Sequence, residues 1–75
     1  MMPPRFRDLK NYCEKNGWEM IRDTDHMYYE KVLADGSVLQ TRVSHALHKE
    51  IPYHLRKRIL SKQLRISEEK FGKGL

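Results

Sequence analysis

Apolar residues recur at helical spacing along the first part of the chain. Phe6, Leu9 and Cys13 stand three and four positions apart with Tyr12 beside them, which lines one face of a helix. Pro3 and Pro4 suit a helix start, and Asn16-Gly17 suits its end, because Gly readily takes the left-handed conformation at a helix C-terminus. The pattern predicts a helix over Pro4–Asn16. The rhythm then shortens. "WEMIRD" alternates loosely, with Trp18 and Met20 on one face of a strand and Glu19 and Ile21 on the other. "HMYYEKVL" is rich in aromatic and branched residues and reads as a second strand. "ADG" supplies the turn, since Asp-Gly tolerates the positive φ angles of a hairpin, and "SVLQTRV" returns as the third strand.

A second helix lies within "SHALHKEIPYHLRKRILSKQL". Pro52 fits its first turn, Leu55, Ile59 and either Lys62 or Gln63 continue one face, and Leu60 and Leu64 widen the stripe. "SEEKF" reads as a short capped turn, with Ser67 as N-cap, two glutamates at the positive end of the dipole and Phe71 folding back. "GKGL" is expected to fray. The order is α-β-β-β-α in the α+β class: a three-stranded antiparallel sheet with helices on one face, as in double-stranded-RNA-binding-like folds. One domain over residues 1–75 is expected, with no internal repeat.

Composition narrows the class. Hydrophobic residues make up 39% and charged residues 33%, a globular rather than disordered balance. The lone Cys13 excludes an internal disulfide, and no apolar run approaches the roughly 18 residues of a membrane span. "MMPPRFRDLK" has no apolar signal core, so a cytoplasmic protein is expected. Lys and Arg outnumber Asp and Glu by 15 to 10, for a net charge of +5. That excess suits a polyanion partner, although a plain basic surface has the same composition.

The candidate chemistry begins at His26. Histidine suits proton transfer near neutrality, and RNA cleavage needs such a group to take the ribose 2′-OH proton. A strand-edge histidine with no chemical role fits the same pattern. His45 follows the third strand and either reaches the sheet near His26 or caps the loop; His54 reads as an exposed helix residue. Asp25 is set aside as a partner for an imidazole, because neighbours in a strand point to opposite faces. No His, Cys or acidic spacing matches a zinc motif, so neither metal nor other cofactor is expected. Of Tyr28 and Tyr29 one must face the core, which leaves the other free for packing or base stacking. Trp18 reads as core. Four cations between Arg56 and Lys62, namely Arg56, Lys57, Arg58 and Lys62, form a band suited to phosphates or to plain solvation. Lys31 and Arg42 on the hairpin, and Arg5, Arg7 and Lys10 on the first helix, add to it.

Taken together, "KNYCEKNGWEMIR", "DTDHMYY", "ADG", "VSH" and "IPYHLRKRILSKQL" resemble the HicA family of toxins over about Leu9 to Phe71. The resemblance implies a small RNase of a type II toxin–antitoxin system, a stress-response module that cleaves messenger RNA without metal and is neutralised by a HicB-type antitoxin. His26 stands where the family has its catalytic histidine, and His45 matches its loop histidine. Asn16, Gly17 and Trp18 match "NGW", and Leu55 through Leu64 match the basic helix. The partner of His26 is left among His45, Tyr28 and a lysine; the RNA-binding candidates are Arg56, Lys57, Arg58, Lys62, Lys31 and Arg42. A free monomer is expected. Two departures stand out: Asp23-Thr24-Asp25-His26 replaces Gly-Ser-x-His, and the hairpin is longer. A non-catalytic RNA-binding domain on the same fold is the alternative reading. A protein-interaction module with an incidental basic surface is a third.

Overall fold

A computed structural model describes residues 3–75. Helix α1 spans Phe6–Lys15, followed by strands β1 (Glu19–Asp23), β2 (Met27–Val32) and β3 (Val38–Val43). Helix α2 (Tyr53–Arg58) runs directly into a π-helical segment, Ile59–Leu64, and α3 (Glu68–Lys73) closes the chain. The fold is α+β with an α-β-β-β-α layout, extended by α3. The sheet is antiparallel in the order β1-β2-β3. Among the described residues no helix is long and apolar enough to cross a membrane.

Alternation decides which side of the sheet the helices cover. Met27 and Tyr29 on β2, with Leu39, Thr41 and Val43 on β3, are buried on one face. Leu9, Tyr12 and Cys13 from α1, Ile59, Leu60 and Leu64 from the π segment, and Phe71 from α3 complete that core with Trp18. The polar groups on this face are paired, since an unsatisfied buried group costs about 1–3 kcal/mol. Thr41 donates to Gln63 Oε1 at 2.7 Å. The Tyr29 hydroxyl donates to Glu14 at 3.1 Å, and Lys10 holds the same carboxylate at 2.7 Å.

The start of α1 is fastened from the loop after β3. Its first free N–H groups, those of Phe6 and Arg7, donate to the carbonyls of Lys49 and Leu47 at 3.0 Å. Arg5 and Glu50 form an isolated antiparallel bridge, and the Arg5 guanidinium donates to the His48 carbonyl. These bonds satisfy donors that every helix N-terminus leaves open. α1 ends as expected at Asn16-Gly17, where Gly17 takes φ 81°. The hairpin turns at Gly36 with φ 89°, while Asp35 accepts from the Ser37 backbone at 2.9 Å.

Five expectations need correction. The first helix starts two residues later than Pro4, with Arg5 at the cap. β2 begins at Met27, leaving His26 outside the strand. A bulge between Met20 and Arg22 breaks the expected alternation of β1. Met20 pairs with Tyr29 and Arg22 with Tyr28, and Ile21 is the extra residue. Every residue of β1 is exposed, Met20 at 46%, so only Trp18 of the expected pair joins the core. In the second helix Pro52 is the N-cap rather than a first-turn residue. Leu55 stays exposed, and Gln63 rather than Lys62 turns inward, because the π segment widens the turn. Finally, the tail is docked rather than frayed. Asn16 Nδ2 donates to the Gly74 carbonyl at 3.0 Å and Lys15 to that of Leu75 at 2.6 Å. Gly74 lies so close to the Tyr12 ring that a Cβ there would run into it. Ser67 does cap α3, accepting from the Lys70 backbone at 3.1 Å, and Phe71 packs beside Tyr12 with centroids 5.2 Å apart.

Candidate active site

Residues 23 to 27 link β1 to β2 through a tight bend, closed by the Thr24 N–H donating to the His26 carbonyl at 3.0 Å. Strand alternation does not apply inside a bend. Asp25 and His26 therefore come together, with Asp25 Oδ2 3.4 Å from His26 Nδ1. The other carboxylate oxygen of Asp25 accepts from the Tyr28 hydroxyl and from Thr24 Oγ1, each at 3.0 Å. These hydroxyls, Tyr28 first, and then His26 hold the Asp25 carboxyl far below the usual carboxylate range. It is an anion at neutral pH.

His26 Nδ1 is sealed from solvent without a hydrogen bond. At 3.4 Å from Asp25 it lies a few tenths of an ångström beyond a normal bond, so a small ring rotation completes the contact. A carboxylate on that side favours the tautomer with its proton on Nδ1, which leaves the lone pair on Nε2. The side chain is 36% exposed, through its remaining edges.

His26 lines a cleft of about 160 Å³ between the end of β3 and α2. Phe6, Leu55 and Ile59 supply its apolar wall; Ser44, Gln63 and the guanidinium residues Arg42 and Arg58 supply the polar one. Such a space holds about five waters, or a phosphate-sized anion. A larger cleft of about 440 Å³ lies between Pro4, Leu60 and Phe71. It is mostly apolar and contains no histidine, and its Arg56 and Glu68 are already paired at 2.9 Å. The smaller cleft is the one with groups able to move a proton and hold an anion.

The remaining sequence candidates separate in space. Tyr28 pairs across the strand with Arg42, and its ring centroid is 6.2 Å from that of His26. Arg58 joins Arg42 in the cleft. Arg56 is engaged by Glu68, and Lys57 lies over the Tyr53 ring at 5.4 Å beside a different groove. Lys62 is exposed on the π segment. Lys31 sits opposite Leu39, five residues along β2 from His26 and thus about 17 Å away. His45 does not line the cleft. Its Nε2 bonds Asp23 Oδ1 at 2.6 Å, tying the loop after β3 to the end of β1. Of the three groups weighed for proton transfer, only His26 lines the cleft that Arg42 and Arg58 also line.

The sequence reading set Asp25 aside and missed Arg22. Asp25 was hidden by the assumption of a continuous strand; Thr-Asp between two strand patterns is the signal of a bend that would have exposed it. Arg22 was hidden by the bulge, which brings its guanidinium over the Tyr28 ring at 4.2 Å. Cys13 is no rival nucleophile, because burial, with Glu14 adding to it, pushes its thiol up to about 12. Among the described residues no group of three His, Cys, Asp or Glu side chains is arranged to hold a metal ion. No family model, curated protein or solved structure matches this chain.

Proposed function

We propose that this protein is an endoribonuclease of the HicA type, acting in the cytoplasm and restrained by a HicB-type antitoxin. The observation that carries the reading is His26, backed by the Asp25 carboxylate and facing a cleft that holds Arg42 and Arg58. The α-β-β-β-α layout and the net charge of +5 agree with an RNA substrate. The resemblance read from the sequence supplies the toxin–antitoxin context.

In this mechanism a phosphodiester enters the cleft between the two guanidiniums, which form charge-assisted hydrogen bonds to its oxygens. His26 Nε2 takes the proton from the ribose 2′-OH, and the freed oxygen attacks the adjacent phosphorus. Arg42 and Arg58 stabilise the charge that grows on the phosphoryl oxygens. The imidazolium of His26, steadied by Asp25, then gives its proton to the departing 5′-oxygen. The products are a 2′,3′-cyclic phosphate and a 5′-hydroxyl. No metal takes part. One histidine serves both halves of the step, because His45 is tied to Asp23 and Tyr28 donates to Asp25.

The test is cleavage of an unstructured RNA in EDTA by wild type and by His26→Ala. Cleavage that leaves cyclic phosphate ends and disappears in the variant supports the reading. Equal cleavage by both removes His26. The carboxylate of Asp25 beside His26, with Asp23 at the end of β1, favours one alternative, an RNA-binding domain without catalysis. Salt-sensitive binding with no cleavage at all would establish that reading instead.

A further inference from the structure

The face of the sheet away from the helices is divided by charge. Near His26 it carries Arg22, Tyr28 and Arg42 in one row across β1, β2 and β3, as the register Arg22↔Tyr28 and Tyr28↔Arg42 places them. Farther along, Glu19 and Glu30 stand directly opposite each other, with Gln40 beside Glu30. Like charges facing across a ladder are unfavourable, so the fold gains nothing from this division. A polyanion on this face is drawn to the first row and repelled from the second.

Within the first row Tyr28 is held on two sides. Its hydroxyl bonds Asp25 at 3.0 Å and its ring lies 4.2 Å beneath the Arg22 guanidinium. That contact holds the planar guanidinium against the ring, while Arg22 remains exposed. A planar, exposed cation on an aromatic support is a surface on which an unpaired base stacks. A paired base keeps its faces inside the duplex and has none to offer.

We infer that Arg22 and Tyr28 form a stacking platform for one unpaired RNA base beside the scissile phosphate, so that the substrate is single-stranded. The strand enters at Arg58 and Arg42 and crosses β2 toward Arg22, a path of about 10 Å between the outer strands. Asp25 bonds Tyr28 and backs His26, and so fixes the platform relative to the group that moves the proton. This assignment rests on the ribonuclease reading above and narrows its substrate from RNA to unpaired RNA.

The experiment is fluorescence anisotropy with a short, unstructured, 2′-O-methyl oligoribonucleotide, which binds but offers no 2′-OH for cleavage. Arg22→Lys keeps the charge and removes the planar group. We expect about tenfold weaker binding with the salt dependence unchanged. An abasic residue scanned along the oligonucleotide should cost wild type about tenfold at one position and Arg22→Lys little there, which is the coupling a direct stack requires. Perfect duplex of the same sequence should bind more weakly than the single strand. Equal affinity of wild type and Arg22→Lys, or no sensitive abasic position, overturns the platform while RNA binding stands. Tighter binding of duplex overturns the single-strand assignment. Absence of any salt-dependent affinity overturns the RNA reading itself and this inference with it.

Discussion

Tyr28 and Tyr29 are neighbours in the chain and belong to different worlds. Tyr29 is 1% exposed beneath the helices, its hydroxyl on a carboxylate that Lys10 neutralises. Tyr28 is half-buried on the opposite face, roofed by Arg22 and bonded to a carboxylate that also backs a histidine. The same side chain, with the same kind of hydrogen bond, thus stabilises the core on one face and holds the candidate site together on the other. What differs is the company: apolar side chains around one, exposed cations and an imidazole around the other. The two histidine–carboxylate pairs teach the same lesson. His45–Asp23 is the shorter at 2.6 Å, yet it does not line the cleft of His26. A short bond alone is not a site.

The sharpest way to break this comparison is to remove each histidine. His26→Ala should lower the RNA cleavage rate by about 10²–10⁴-fold, the usual size of lost general acid–base catalysis, while His45→Ala stays within a few-fold. Comparable losses in single-turnover assays would bring the Asp23–His45 pair into the mechanism. The tyrosines come next, read by urea denaturation. Tyr29→Ala should cost about 3–5 kcal/mol, as large buried truncations do, and Tyr28→Ala less than about 1 kcal/mol. A large stability loss at Tyr28 would mean that its face also holds the fold together.

Alkaline pH separates the faces more gently. Burial first, then the Glu14 bond, pushes the Tyr29 hydroxyl up to about 12, and burial does the same to the Cys13 thiol. The unfolded chain releases these protons at about 10 and 9, so the native state holds protons that the unfolded state has lost. Stability from these groups is complete below about pH 9, falls as pH rises, and is fully lost only above about pH 12. Urea midpoints between pH 8 and 11 (chosen to bracket the onset) should decline, less steeply in Tyr29→Phe. The smallest effect belongs to the exposed pair. Asp23→Asn should change stability by about 0.5 kcal/mol in low salt and less in high salt.

Most of the covered face was legible from the residues alone. Leu9 and Cys13 at helical spacing, and Leu39 with Val43 at strand spacing, point inward because a regular element repeats its direction. Of the candidate site, His26, Tyr28, Arg42 and Arg58 stood out in the sequence. Asp25 and Arg22 lay where regularity fails, one in a bend and the other just past a bulge. Periodicity carries no information at such positions, and these are the positions that aim side chains at a common point. The turn of Gln63 toward Thr41 was hidden for a related reason, since no spacing rule for an α-helix describes a π segment.

That π segment has a consequence for the whole second helix. It acts as a phase setting between two gears: Leu55 and Arg58 precede or meet its start and face the cleft, while Leu60 and Leu64 within it fill the core. Winding Ile59–Leu64 as an ordinary α-helix, with every residue kept, would leave composition and charge unchanged. It would also turn the helix by about 100° relative to the core. Either the leucines or Arg58 would then point the wrong way. The cationic cleft is therefore a matter of timing along the helix as much as of which residues the helix contains.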